Sequence, residues 1–550
     1  MRRMDRRRFL RTLSCGAVAA ATAGRRLRPA RAAGEKDARP NIVFLLTDDQ
    51  RARTLGAAGH PVIRTPNLDR LAAEGVRFTN AFVTDPTCKP SRVTYFTGLY
   101  ERVHGVGFST RQQLSERRWR QTYPALMREA GYFTGFIGKF GVESYAFRGR
   151  AGEKFDFWRG HDGWARFRPK KLTHCSAYAD AAEEFVTPIM GESIDRFLDA
   201  CPPGKPFCLS VSFSAPHGSI SGSMVPGERG DRRMTTPADT VADLAGHPVY
   251  GKLYRDRAVE IPAETATDPE PYLPARVLPQ AKRRACYSYA YTRPTAREHH
   301  YRYYQLITGI DAAVGRLRKG LARRQLAERT VIVFTSDHGL LMGEYGMGGK
   351  SLLYDLAVRV PLVIRDPSLP TRRRGKVIDA LALSADIAPT LLSYAGIRPP
   401  AHTQGRNLRP LLTDPNRPWR DEVFLENLYT GRDNPFIEAV RTRRYKYVRY
   451  FANPSGVYTD EQADFAAATP VFEQLFDLRA DPAERTNLRA DPEHRGTLAD
   501  LRARCRRHSA DQVARRKAYR VRQTVRRDRQ GQRDVSGLAR DRVQEKGTDR

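Results

Sequence analysis

Four short apolar runs in this chain each end on residues suited to chemistry rather than to packing. Pro40 to Thr47 runs into Asp48-Asp49-Gln50. Tyr132 to Ile137 delivers Gly138-Lys139. Pro206 to Phe213 enters Ser214-Ala215-Pro216-His217, and Thr330 to Phe334 leads through Thr335-Ser336 to Asp337-His338-Gly339. Runs of this length, bounded by Pro, Gly or Asp, read as buried strands. Helical patterns lie between them: Pro66 to Gly75, Tyr123 to Ala130 ended by Gly131, and Ser384 to Tyr394. Phe78 to Val83 and Arg359 to Ile364 read as further strands. The alternation predicts an α/β sandwich with a mostly parallel central sheet. Open sheets of that kind gather ligands at the carboxyl ends of their strands.

The residues at those ends are charged. Asp48 and Asp49 repel each other unless a cation holds them, although such a pair also serves to cap a following helix. Asp337 and His338 form a second acidic strand end. Mostly carboxylate donors favour a hard cation such as calcium or magnesium.

A further motif supplies a nucleophile. In Cys88-Lys89-Pro90-Ser91-Arg92, the proline fits the first turn of a helix. Cys88 then sits at a helix N-terminus, where backbone N–H groups and the helix dipole favour an anion. Arg92 adds a fixed positive fork. By itself the pattern also suits a buried structural cysteine at a helix start.

Cys88-x-Pro90-Ser91-Arg92 followed by Thr97-Gly98 resembles the signature of the formylglycine-dependent (type I) sulfatases, in the alkaline phosphatase superfamily. The resemblance covers most of residues 40 to 490. It implies an alkaline-phosphatase-like sandwich plus a small C-terminal antiparallel-sheet subdomain. It also implies that Cys88 is oxidised by a formylglycine-generating enzyme to an aldehyde whose hydrate is the nucleophile. Calcium, ahead of magnesium, is the implied metal, held by Asp48, Asp49, residue 88, Asp337 and His338. Lys139 and Lys350 match the family's sulfate-contacting lysines and His217 its substrate-side histidine. With Arg92, they would neutralise the developing charge. One position departs from the family. After Lys139 the chain reads Phe140-Gly141, with Gly141 where a histidine is usual, so the base for sulfate elimination is left open between His104 and His217.

The expected function is therefore hydrolysis of a sulfate ester. A phosphonate or phosphodiester hydrolase with the same nucleophile is one alternative. An inactive binder of sulfated glycans is the other.

Composition bears on partners and destination. The net charge of +33 over 550 residues invites a nucleic-acid reading, but more than half of it is terminal. Residues 1–33 contribute +9, residues 501–550 contribute +11, and 34–500 only +13. No nucleic-acid partner is expected. A basic enzyme suits a polyanionic substrate, and with export this points to a sulfated carbohydrate. Arg6-Arg7-Arg8-Phe9-Leu10, an alanine-rich stretch and Ala30-Arg31-Ala32 resemble a twin-arginine export signal over 1–33, hence a periplasmic or extracellular enzyme. No apolar run approaches the roughly 20 residues that span a bilayer.

The catalytic domain is expected over 34–415, with the irregular stretch 218–295 as its substrate-binding loop region. Alternating residues in Glu438 to Arg441 and Tyr445 to Tyr450 predict antiparallel strands in a subdomain over 416–490. A basic tail, helical and then disordered, is expected over 491–550. Cys201 and Cys208 are close enough in sequence to pair in an oxidising compartment.

Overall fold

The computed structural model describes residues 39–528 apart from 111, 143–149, 164, 166, 218–246, 266, 276, 278–292, 432–433 and 453–455. Residues 1–33, expected as an export signal, and most of the 218–295 stretch therefore lie outside the described residues.

The central sheet is built around β1 (Asn41–Thr47), buried along its whole length. Its other strands are β2 (Val76–Phe82), β3 (Phe133–Lys139), β4 (Phe157–His161), β5 (Phe207–Ser212), β6 (Thr330–Ser336), β9 (Arg359–Arg365), β10 (Lys376–Ile378) and β11 (Ala382–Leu383). A two-strand ribbon, β7 (Leu341–Met342) and β8 (Gly348–Gly349), follows β6. The order across the sheet is β10-β2-β9-β6-β1-β5-β3-β4, with β11 also on β2. Every pairing is parallel except those of β9, which runs antiparallel to both β6 and β2.

The side-chain alternation of β1 shows why both faces are covered. Ile42, Phe44 and Leu46 join a core with Val93, Tyr95 and Phe96 of the helix Cys88–Thr97. Val43 and Leu45 join a second core with Ile189, Met190, Ile194 and Phe197 of Val186–Ala200 and Ile310, Val314 and Leu317 of Arg293–Arg323. A strand buried on both faces needs an unbroken apolar run, which is what residues 42–46 provide. Truncating a buried ring such as Phe44 to alanine costs about 3–5 kcal/mol.

The C-terminal sheet is an antiparallel meander, β12 (Glu422–Asn427), β13 (Phe436–Thr442), β14 (Tyr445–Phe451) and β15 (Phe472–Asp477), in that order. Both of its faces contribute to the core that holds Phe44 and Phe96: Val423, Leu425 and Ile437 from one, Val440, Tyr447 and Leu475 from the other.

The segment expected to begin a basic tail with a helix carries the helix Arg495–Asp528, with Leu498, Leu501, Cys505, Ser509, Gln512, Arg516 and Tyr519 buried. These recur at helical spacing, and the intervening arginines hide the stripe. One expectation needs correction: Cys201 and Cys208 do not pair, and both are free thiols. Cys208 belongs to the core between β1 and the nucleophile helix, whereas Cys201 caps Val186–Ala200.

Candidate active site

Register brings the four strand ends level. Leu46 pairs with Ser212, Thr47 with Ser336, and Gly138 with Ser212. The chain beyond each end stays tied to its neighbour, the Asp48 N–H donating to the Ala215 carbonyl (3.0 Å) and the Asp337 N–H to that of Thr47 (2.9 Å). Asp48, Asp49, Lys139, His217, Asp337 and His338 are thus carried to one edge of the sheet and buried there.

Asp49 has φ 71°, a left-handed conformation that aspartate tolerates better than most residues. Two bonds hold it there. Its N–H donates to Asp337 Oδ1 (3.2 Å), and the Tyr303 hydroxyl donates to its carbonyl (2.8 Å). The same hydroxyl accepts from the Arg51 N–H at 2.8 Å, and Arg51 is clamped by both oxygens of Glu344 at 2.9 and 2.8 Å.

The helix Cys88–Thr97 aims its N-terminus at this group. Its cap residue Thr87 gives no side-chain cap, because its hydroxyl donates to Asp85 instead. Gly98, at φ 70°, closes the other end. Cys88 Sγ lies 3.1 Å from Lys350 Nζ, 3.3 Å from His338 Nε2 and 3.7 Å from Asp48 Oδ1. Ser91 donates to the Asp337 carbonyl at 2.6 Å.

Arg92 binds these ends together. Its Nε donates to Asp337 Oδ2 (3.0 Å), its Nη2 faces Asp48 Oδ2 (3.2 Å), and its Nη1 donates to the Lys139 carbonyl (2.9 Å) and the Ser212 hydroxyl. It is an internal brace across four strands. Lys139 donates to Asp48. Lys350 reaches Asp49 Oδ1 at 2.8 Å and keeps 23% of its side chain exposed, against 6% for Lys139. Lys350 therefore marks the open side.

The charges reinforce one another. Burial alone would raise Asp48, but Lys139, His217 and Arg92 outweigh it and hold its carboxyl well below the ordinary range. Burial opposes ionisation of Asp49 too, and Lys350 and His217 overcome it. Burial disfavours the charged forms of Lys139 and Lys350, but Asp48 and Asp49 respectively raise both. Burial also works against protonated His338, yet Asp337 lifts it to about 9. Burial pushes His217 down to about 4, so it is neutral near pH 7 although Nε2 lies 3.8 Å from Asp49 Oδ2.

The ligand atoms fall into two overlapping groups, each within 4.8 Å: Asp48, Asp49, Cys88 and His217, and Asp48, Cys88, Asp337 and His338. The five residues expected as metal ligands all fall within these two groups, and His217 lies in the first with them. The donor set fits a hard cation, and the Lys350 ammonium beside Asp49 and Cys88 shows that it draws positive charge.

Gly141 explains the missing histidine. At φ 66°, a Cβ there would lie 2.7 Å from Arg92 Cδ. A side chain at 141 and this placement of Arg92 exclude each other. His104 sits apart, its Nδ1 accepting from the Val106 N–H (3.0 Å) and its Nε2 3.4 Å from Thr94 Oγ1. A histidine not anticipated stands nearer: His161, paired with Lys139 across β3 and β4, with Nε2 3.2 Å from Ser214 Oγ. Its position at a strand end was a usable signal. Tyr303, in mid-helix, offered none.

Strand-end carboxylates around a thiol at a helix N-terminus, with cations closing the ring, define a hydrolase site for an oxyanion ester. The chain belongs to the sulfatase family: residues 40–397 match the Sulfatase model, and 343–511 match N-sulphoglucosamine sulphohydrolase, C-terminal. It is a sulfuric ester hydrolase of the alkaline-phosphatase-like fold. It is 28% identical to an arylsulfatase of Clostridium perfringens over 84% of this chain and 93% of that protein. The solved structure of BT4656 in complex with its substrate D-glucosamine-2-N,6-O-disulfate aligns with TM-score 0.61 at 22% identity, covering 86% of this chain and 98% of that one. The phosphonate monoester hydrolase of Agrobacterium radiobacter aligns with TM-score 0.61 at 22% identity, over 88% and 96%. At these identities the two structures speak for the fold alone.

Proposed function

We propose that this protein hydrolyses sulfate esters of carbohydrates, using a formylglycine made from Cys88 and one calcium ion. The observation that carries the reading is Cys88 at a helix N-terminus, within hydrogen-bonding range of Lys350 and His338 and beside Asp48. Asp48, Asp49, residue 88, Asp337 and His338 would hold the calcium, which supplies Lewis-acid stabilisation of the sulfuryl oxygens. The hydrated aldehyde supplies one hydroxyl to attack sulfur and a second whose collapse expels sulfate.

The chain's own residues do the rest. Lys139 and Lys350, kept cationic by Asp48 and Asp49, neutralise the sulfate and the charge that develops as the alcohol leaves. Arg92 pairs with both Asp48 and Asp337 and holds them in place. His217, neutral near pH 7, takes the proton that sulfate release requires. The carbohydrate reading is supported by the basic balance of the chain and by its 26% identity, over 82% of this chain and 83% of that protein, to an N-acetylglucosamine-6-O-sulfatase of Bacteroides thetaiotaomicron. Among the described residues no helix is long and apolar enough to cross a membrane. Export by a twin-arginine signal over residues 1–33 completes the proposal, and N-terminal sequencing of the secreted protein tests it.

The decisive experiment is mass analysis of the peptide containing residue 88, together with turnover of p-nitrophenyl sulfate against a phenylphosphonate ester. An aldehyde and preferred sulfate turnover are expected. An unmodified thiol in active enzyme removes the nucleophile assignment, and preferred phosphonate turnover moves the enzyme to the other hydrolase class.

A further inference from the structure

Phe108 is the one exposed large aromatic hydrophobe among the described residues, at 47% exposure. Leaving that ring in water forgoes much of the roughly 1.5–3 kcal/mol that burial of such a side chain yields. The loop that presents it is firmly fixed. The Ser109 hydroxyl accepts from the Thr430 N–H (2.9 Å), the Ser109 carbonyl from the Tyr458 N–H (3.2 Å), and Thr110 Oγ1 donates to the Gly105 carbonyl (2.8 Å). Gly107 lets the loop lie against Glu101, where any Cβ would collide with the carboxyl. Phe108 is therefore held out by the fold.

Two neighbours give the ring a setting. Tyr429 stands edge-on at 6.0 Å between centroids, and Lys89 Nζ lies 5.0 Å from the Phe108 centroid. Lys89 directly follows the nucleophile in the first turn of the helix Cys88–Thr97. Every other cation close to residue 88 already has a carboxylate: Arg92 has Asp48 and Asp337, Lys139 has Asp48, and Lys350 has Asp49. Lys89 has no ion pair among the described residues. An unmatched cation and a rigid exposed aromatic stand together beside the nucleophile.

We propose that Phe108, Tyr429 and Lys89 form a carbohydrate subsite at the rim of the active site. A sugar ring of the substrate packs on the aromatic pair, and a second anionic substituent, sulfate or carboxylate, pairs with Lys89. The inference rests on the sulfatase reading for the position of the scissile ester. The occupant follows from chemistry. A pyranose offers an apolar C–H face to an aromatic ring and polar edges to solvent, and the free cation asks for an anion beyond the one being hydrolysed. This places substrate selection on Phe108 of the 105–110 loop and Tyr429 of the β12–β13 connection, together with Lys89.

Calorimetric titration tests this, using the calcium-loaded Cys88→Ala protein and tetrasaccharides of heparin, chondroitin sulfate and carrageenan. At least one should bind, and Phe108→Ala on that background should weaken it about tenfold or more, with Phe108→Trp restoring most of the loss. Lys89→Ala should weaken multiply charged tetrasaccharides several-fold more than a monosulfated one. If no tetrasaccharide binds, or if Phe108→Ala and Lys89→Ala bind as tightly as the parent, the subsite is overturned. A fall in melting temperature with unchanged carbohydrate affinity also overturns it, since Phe108 would then only support its own loop. Turnover of p-nitrophenyl sulfate by the enzyme with Cys88 intact is measured separately and reports on the sulfatase reading alone.

Discussion

Two clusters of buried charge flank the segment from Thr84 to His104, and they settle into opposite states. In the active site Asp48, Asp49 and Asp337 face Arg92, Lys139, Lys350 and His338. At the junction with the C-terminal sheet, Asp85, Glu101, Glu426 and Glu438 share, among the described residues, only Arg102 and Arg449. Burial is nearly complete in both. Where cations match the acids, Asp48 and Asp49 are driven to the ionised form. Where acids outnumber cations, burial first and neighbouring carboxyls next push Glu101 well above its ordinary value. Burial likewise takes Glu426 to about 7 and Asp85 to about 6. Local charge balance, not burial, decides which buried acid stays an anion. One cluster is the one proposed to hold a metal and a sulfate. The other is a partly protonated joint, reached by Arg102 and Ser509, that holds the C-terminal sheet and helix against the nucleophile segment.

The largest effects should come from breaking the first cluster. Asp48→Ala or Asp337→Ala should lower kcat/KM by on the order of 10³-fold or more and abolish calcium binding, with far-UV circular dichroism retained. Near-normal turnover in either variant removes the metal role. Cys88→Ser tests the nucleophile within the same cluster. Serine keeps one hydroxyl at the helix head and still accepts a sulfuryl group. It has no second hydroxyl on that carbon, so it cannot release sulfate by collapse to an aldehyde. One turnover and a covalent sulfuryl adduct at residue 88 are expected by mass spectrometry. Sustained turnover without the adduct would sink the aldehyde mechanism.

Smaller effects sharpen the picture of how the cluster is kept in order. His217→Ala should cut kcat by about 10²-fold or more, with a lesser change in KM. A rise in KM alone would make His217 a binding group only. Tyr303→Phe deletes the hydroxyl that bridges the Asp49 carbonyl and the Arg51 N–H, and should weaken calcium by about 10–100-fold. Unchanged calcium affinity would show that Asp49 keeps its left-handed conformation unaided.

The first cluster was largely legible in the sequence, and the second was not. Asp48, Asp49, Lys139, His217 and Asp337 each close an apolar run, so a strand-end rule finds them and parallel register brings them together. The central strands were readable for the same reason, since a strand buried on both faces has little choice of residue. Asp85, Glu101, Glu426 and Glu438 meet only through tertiary packing, and a lone acid in sequence looks like a solvated one. The packing of the helix Arg495–Asp528 was obscured in another way. A helical start to the tail was expected, but its buried stripe is diluted by arginines, so its place against the C-terminal sheet was not legible.

The smallest predicted effect separates the clusters by the sign of their pH dependence. Glu101 ionises near pH 4.5 when unfolded, but its folded pKa is raised well above that by burial and then by Asp85. Between those values the folded state holds a proton that the unfolded chain has released, so folding stability falls as pH rises. Glu426 and Asp85 act in the same direction, up to about 7 and about 6. One pKa unit corresponds to about 1.4 kcal/mol, so the junction contributes on the order of a few kcal/mol of decline between pH 5 and 8. Asp48 and Asp49 have depressed pKa values, so the stability they supply is lost only as pH falls through the acid range and adds no slope here. His338, raised to about 9, adds its own decline above pH 6.5, so the readout is a difference between variants. Glu101→Gln keeps the shape of the protonated acid and has nothing to ionise. Its melting temperature relative to the parent should rise steadily from pH 5 to pH 8, by a few degrees, with p-nitrophenyl sulfate turnover largely retained. A gap that stays constant across that range would mean Glu101 is ionised in the folded protein, and the contrast between the two clusters would fail at the junction.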